Sequence, residues 1–497
     1  MTGASINRTA VPKAGDRAAA MLGSALLVVA ALAASPASAE TLQQALAAAY
    51  KFNPRLDAER ARLRATDEEV ARAKSGYRPT VTGSADISYQ KTDTRPPGLG
   101  GETHPKGYGV TATQPVFSGF RTLNSVRVAE ATVRAGRENL RIVEQSVLLE
   151  AVTAYMDVVR DQAIVRLREN NVNVLTRELR ATQDRFAVGE VTRTDVAQAE
   201  ARRAGAVSAL DLARANLKTS RATYERVIGH PPSNLAEPPA IRGLPSSLNE
   251  AIAIGAKEAP AVVASLYFEQ AARYNVDLVW GELLPTVSLE ADYNRRFDTS
   301  GLDEIESTSV TGRVVVPFYE GGEVRARVRQ AKHAHVSRLQ EVEQARTENQ
   351  ALAITAWSQL VAARAAVESD QVQVNANRTA LTGVREEERV GQRTLLDVLN
   401  AEQELLNAEV QLATDRRNAV VAAYGVLSAV GRLSAAEMSL LADVYDPEAH
   451  YNEVRRKWFG ISITHPDGRS EQQDVSPGKV VSEPKDTWST KVSKPKK

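Results

Sequence analysis

The chain has 497 residues, a formal net charge of +1 and no cysteine. The near balance of charge leaves no electrostatic footprint for nucleic acid. A chain without cysteine forms no disulfide and supports no thiolate chemistry.

The first 39 residues read as a secretory signal peptide. Arg8, Lys13 and Arg17 precede an apolar run over 21–34, and Ser35-Pro36-Ala37-Ser38-Ala39 follows. A basic region, a short apolar core and an A-x-A site predict export, with cleavage before Glu40. The apolar run is shorter than the ~20 residues that span a bilayer. No later stretch reads as a transmembrane helix, so the mature chain is expected to be either soluble or a β-barrel protein.

Residues 40–230 form a first unit. Thr41 caps a helix that is interrupted at Asn53-Pro54 and ended by Pro79. Over 80–90, Val81, Gly83, Ala85, Ile87 and Tyr89 alternate with polar residues, which predicts a strand with one apolar face. A polar loop over 91–106 leads to a returning strand over 108–115. Pro115-Val116-Phe117-Ser118-Gly119 then turns into a helix over 120–188 that has no proline and one internal glycine, Gly136. At ~1.5 Å per residue such a helix is about 100 Å long. Its apolar residues form two rows of period seven, one through Val126, Val133, Leu140, Val147 and Ala154, the other through Val128, Ala135, Ile142, Leu149, Met156 and Ala163. Two rows predict a neighbour on each side, as in a wall of helices. Gly189 ends this helix and Thr192 starts the next, with Asp195 three residues on in a capping-box arrangement. The result is a tight hairpin at 188–192, followed by a half-length helix to Gly229.

Pro231-Pro232 and Pro238-Pro239 mark a linker over 231–249, after which the pattern repeats over 250–445. Val287, Leu289, Ala291 and Tyr293 alternate as a third strand, a second polar loop spans 295–307, and Val310, Gly312, Val314 and Val316 mark a fourth strand. From there one offset of 202 is held. Pro115 matches Pro317, Gly189 matches Gly391, Thr192 and Asp195 match Thr394 and Asp397, and Gly229 matches Gly431. A register this long is an internal duplication. Residues 446–497 lack periodicity and read as a largely flexible tail, with Trp458, Phe459, Ile461 and Ile463 able to dock locally.

Each half thus supplies a half-helix, two strands, a full helix, a tight turn and a second half-helix. Two half-helices stacked end to end match one full helix. Four strands are too few to close a barrel, because membrane barrels need about eight or more, so they must close with copies from other subunits. The other reading of the strands is the edge of a soluble β-sandwich.

The duplication, the P-x-[FY]-x-G turn and the hairpins VGEVTRTDVAQAE and VGQRTLLDVLNAE resemble the TolC family of outer-membrane efflux proteins, over residues 41–445. The stretch VYDPEAHYNEVRRKWFG is similar to the alphaproteobacterial branch. The resemblance implies an α+β membrane protein in the outer membrane. Its form would be a homotrimeric α/β-barrel, with a twelve-stranded barrel in outer-membrane lipid above a twelve-helix periplasmic duct. It implies a passive exit duct for tripartite drug efflux or type I secretion, partnered by a periplasmic adaptor (membrane fusion) protein and an inner-membrane transporter of RND or ABC type. It also implies a gate at the hairpins, held by an Asp of the first and a Tyr and Arg of the second. Asp195 and Arg393 match, and Glu388 occupies the Tyr position. The family's acidic ring uses two Asp one turn apart. Asp397 matches the first and Asn400 stands at the second, so a weaker block by cations is expected. Asp195 and Asp397 also read simply as helix caps.

His333 and His335 point in different directions on a helix and read as solvated surface. Tyr155 and Trp357 are equivalent in the two halves and read as wedges between struts. No nucleophile–base pair, phosphate loop, cofactor site or metal-ligand cluster is present in the sequence pattern, so no enzyme is read. The rival reading is a periplasmic helical scaffold or adaptor. An adaptor would carry one hairpin between lipoyl-like domains, whereas this chain has two matched hairpins and four alternating strands.

Overall fold

The computed structural model describes residues 39–464 and 470–471, apart from 94, 96–100, 240, 242, 300–301 and 441–443. Residues 1–38 of the expected signal peptide, and most of the tail beyond 464, lie outside the described residues. The first repeat comprises α1 (Leu42–Phe52), α2 (Pro54–Ser75), β1 (Thr80–Ile87), a short ribbon of β2 (Gln90–Thr92) and β3 (Gly101–Thr103), β4 (Lys106–Ser118), α3 (Arg121–Ala187) and α4 (Arg193–Ile228). The second comprises α5 (Leu248–Glu258), α6 (Pro260–Trp280), β5 (Thr286–Thr299), β6 (Leu302–Val315), α7 (Glu323–Arg389) and α8 (Leu395–Ala429). A short α9 (Ala449–Val454) and a small ladder of β7 (Ile463–Thr464) with β8 (Ser470–Glu471) follow.

The half-helices stack end to end in both repeats. Asn53 caps the start of α2 through Arg55 N–H, while its Nδ2 donates to Val227 O at 3.1 Å near the end of α4. In the second repeat Gly431, at φ +86°, lies so close that a Cβ there would stand 2.5 Å from Glu258 O. Only glycine satisfies both the left-handed backbone and the close approach. The two composite struts therefore run alongside the two 67-residue helices, α3 and α7.

The struts lie side by side: α3 packs against α2 and α4 and also against α6 and α8, and α7 packs against α6 and α8. Twenty residues of α3 are buried against ten of α7. The helix in mid-wall buries Val133, Leu140, Val147 and Ala154 of one row but only Ala135 and Met156 of the other, leaving Ile142 37% exposed, whereas α7 leaves Val336, Leu352, Val361 and Val372 exposed. The largest core cluster lies at mid-height, where α1 joins the wall, and includes Leu42, Leu46, Leu148, Tyr155, Tyr224 and Ile228. Each such side chain contributes about 1.5–3 kcal/mol by burial. Tyr155 is more than a wedge. It is fully buried, and its hydroxyl lies 2.8 Å from Glu40 O and 2.6 Å from Ala236 O, so one proton ties the residue before α1's cap and the linker to α3.

The sheet order is β1-β4-β5-β6, antiparallel throughout, and β4 pairs with β5 to join the repeats. In register, Val81, Ala112, Ala291 and Val310 share one face, while Thr82, Thr111, Asp292 and Ser309 share the other. The apolar face is exposed, with Val81 and Val310 67% and 69% accessible. The polar face holds its own bonds, such as Thr111 Oγ1 to Asp292 Oδ1 at 2.7 Å. Pro115 fits a ladder because the register shifts between Pro115 and Phe117, a bulge that needs no N–H at the proline. Among the described residues the β1 and β6 edges have no further strand partner.

Three expectations require correction. The loop expected over 295–307 is mostly ladder: Arg295 pairs with Glu306 and Phe297 with Glu304, and Arg295 is also ion-paired with Glu304. Opposite charges across strands support a ladder whose sequence reads as polar loop. The segment Leu248–Leu283 is apolar and long enough to span a bilayer by composition, contrary to the expectation of no such stretch. It is two helices broken at Pro260, and α6 packs between α3 and α7. Finally, residues 446–464 of the tail read as flexible are bonded to the wall: Arg137 Nη1 donates to Glu448 at 2.7 Å, and His450 Nδ1 lies 3.1 Å from the buried Asp67.

Candidate functional site

The two hairpins lie at the end of the wall farthest from the sheet, each built by the same local chemistry. Gly189 (φ +83°) and Gly391 (φ +77°) terminate α3 and α7. Glu190 N–H reaches back to Arg185 O at 2.9 Å, and Gln392 N–H to Glu387 O at 2.8 Å, closing the last turn in each case. Two residues later a threonine starts the return helix. Thr192 Oγ1 accepts from Asp195 N–H at 3.3 Å, and Asp195 Oδ2 accepts from Thr192 N–H at 2.9 Å and from its hydroxyl at 2.7 Å. Thr394 and Asp397 repeat the arrangement at 3.3, 3.0 and 2.8 Å.

These bonds stabilise the charged carboxylates. The Thr192 hydroxyl and then its N–H hold Asp195 below the usual aspartate range. The Thr394 N–H and then its hydroxyl do the same for Asp397, with a further contribution from Arg393. Both residues are partly exposed, and their carboxylates remain anionic at neutral pH. They therefore present fixed negative charge at the tip of each hairpin, with the α4 and α8 dipoles behind them.

The remaining predicted residues have other partners in the protomer. Arg393 Nε donates to Glu387 at 2.9 Å within its own hairpin, and the protomer forms no Asp195–Arg393 pair. Glu388 is held by Arg185 Nη1 at 2.7 Å, a bond from the end of α3 to the end of α7. Asn400 Oδ1 accepts from Arg202 Nη2 at 2.8 Å, joining α8 to α4. The hairpins are thus tied by Arg185–Glu388 and Arg202–Asn400. Sequence reading missed Arg185, Arg202 and Glu387. The duplication does not name their partners: Arg185 and Arg202 stand in register with Glu387 and Glu404 of the other copy but bond to Glu388 and Asn400. Lower in the second hairpin, Arg385 donates to the buried Glu402 at 2.6 Å, and burial still raises that carboxyl above its ordinary value.

His335, read as solvated surface, is instead partly buried, with Nε2 2.7 Å from Glu269 of α6. Trp357 packs half-buried beside Ala353 and Ala356.

The outer membrane efflux protein family matches residues 41–230 and 256–432. Outer membrane efflux protein BepC of Brucella suis biovar 1 is 43% identical over 443 residues, covering 88% of this chain and 95% of that protein. Outer membrane protein TolC of Vibrio cholerae is 25% identical, covering 80% of this chain and 92% of its own. Among solved structures, CusC superposes with a TM-score of 0.71 at 15% identity, covering 79% of this chain and 92% of that one, and so shares the fold. The chain belongs to the outer membrane efflux protein family, whose members are channels of the outer membrane that extend into the periplasm.

Proposed function

We propose that three copies of the chain assemble into one duct, in which β6 of each copy pairs with β1 of the next and α7 packs against the neighbour's α2–α4 strut. The observation that carries this reading is that the protomer is unfinished at both edges. Among the described residues β1 and β6 stand at the two ends of the sheet without a further strand partner, and α7 exposes Val336, Val361 and Val372. An edge that fits the opposite edge of an identical copy closes into a ring. Three copies give twelve strands, with the apolar face toward lipid and the Thr- and Asp-bearing face toward water. The duct is passive. Its cargo, a drug or a secreted protein, is chosen by an inner-membrane transporter of RND or ABC type and handed over through a periplasmic adaptor.

In this assembly the hairpins converge on the periplasmic entrance. Asp195 and Asp397 contribute rings of carboxylate that favour cations, with Asn400 in place of a further charge. Arg185–Glu388 and Arg202–Asn400 hold the two hairpins of each copy together in the resting entrance. The mass of the detergent-extracted protein tests the assembly: three chains per particle are expected, and a monodisperse monomer or dimer contradicts it.

A further inference from the structure

The chain beyond α8 runs beside α2 toward the sheet, and its partners rise with it. Tyr445 N–H donates to Tyr50 Oη at 3.2 Å, and its ring lies 5.3 Å from the Arg60 guanidinium. In α9, His450 meets Asp67. Farther on, Lys457 O accepts from Arg78 Nη1 at 2.9 Å, and the Arg78 guanidinium lies 4.6 Å from the Trp458 ring. Arg78 stands two residues before β1, so Trp458 sits at the level where helix gives way to strand.

There the strap makes a turn. Lys457 Nζ donates to Ser462 O at 3.0 Å, and Gly460 adopts φ +102°. The turn presents Phe459 at 86% and Ile461 at 72% exposure, beside a half-exposed Trp458. Exposed aromatic residues also stand at other helix–strand junctions: Tyr77 before β1, Trp280 before β5 and Phe318 after β6. The apolar face of the sheet begins immediately beyond, at Val81. Aromatic residues gather where a membrane protein crosses the headgroup layer, and basic residues beside them meet lipid phosphate. The strap supplies both, because the exposed Arg456 stands two residues before Trp458.

We propose that the strap is a second membrane anchor, with Trp458, Phe459 and Ile461 seated in the headgroup region of the periplasmic leaflet and Arg456 facing phospholipid phosphate. The occupant is lipid because these exposed apolar side chains stand at the level where β1, with its exposed apolar face from Val81, begins. The inference rests on the outer-membrane reading.

The test uses the full mature protein in phosphatidylethanolamine–phosphatidylglycerol vesicles with brominated acyl chains. One variant keeps only Trp458 (Trp280→Phe, Trp357→Phe, Trp488→Phe). A control variant lacks all four native tryptophans and carries Val310→Trp on the apolar face of β6. Quenching of Trp458 by at least about twofold, stronger with bromine near the headgroup than deep in the chain, is expected. Val310→Trp quenched with Trp458 unaffected overturns the anchor while the barrel stands. In that case, shielding of Trp458 from acrylamide marks a protein neighbour, and free access marks exposure to water. If neither residue is quenched, both the anchor and the membrane reading fail.

Discussion

Arg185 Nη1 lies 2.7 Å from Glu388 Oε1, joining the last turn of α3 to the last turn of α7. The arginine is 45% exposed and the glutamate 18%, so the pair is worth about 0.2–1 kcal/mol. Three copies acting together make it a modest clasp. Arg185→Ala is expected to raise the open probability of the entrance by up to about fivefold for each pair broken. Exchanging the charges (Arg185→Glu with Glu388→Arg) is expected to restore it. Rising salt should weaken the wild-type clasp and leave Arg185→Ala largely unchanged. Single-channel recording of the three proteins checks this.

The hairpin tips should loosen in acid. Asp195 and Asp397 titrate below the ordinary aspartate range because the caps favour the charged form. A depressed folded pKa contributes stability above the unfolded value, about 3.9, and loses it as pH falls through the folded value. Amide exchange over 193–198 and 395–400, corrected for its intrinsic pH dependence, should therefore accelerate only below about pH 4. Thr394→Ala should produce the same fraying at neutral pH, with a loss of about 1 kcal/mol from that helix end.

Facing of the sheet gives a sharp contrast between neighbours. Val310 lies on the apolar face and Ser309 on the polar one. Val310→Arg is expected to destabilise the folded barrel by about 2–4 kcal/mol if the residue lies at mid-membrane, and Ser309→Arg much less. Urea-dependent folding into vesicles measures both.

The joints between repeats depend on glycine. A Cβ on Gly119, at φ +63°, would stand 2.2 Å from Gly281 O, and one on Gly281 would stand 2.3 Å from Gly119 O. These backbones touch where β4 turns into α3 and where α6 runs toward β5. Gly281→Ala is expected to cut the yield of inserted protein severely, while Gly205→Ala, with open space around it, leaves yield unchanged. Heat-resistant oligomer on gels reads the difference.

Much of this was legible because duplication repeats its own signals. The offset of 202 locates both hairpins, and Thr192 and Thr394 cap as their spacing implies. Asn53-Pro54 and Gly431 mark the stacked joints. The reach of β5 and β6 was not legible, because Arg295, Glu304 and Glu306 look like loop residues until their partners are known. Nor was the strap: it has no period, and its contacts with Asp67 and Arg78 are made some 380 residues away in sequence. The partners of Glu388 and Asn400 depended on which side chains reach across the hairpins, which helix spacing alone does not fix.

Conductance of the purified mature protein in planar bilayers, with and without a trivalent cation and with Asp397→Ala alongside, tests the duct and its entrance together. Small cation-selective openings in the parent, blocked by the cation and freed from block in Asp397→Ala, are the expected result. Membrane-inserted oligomers of both the parent and Arg185→Ala that pass no current would contradict the duct. Openings equally insensitive to the cation in the parent and in Asp397→Ala would contradict the carboxylate ring.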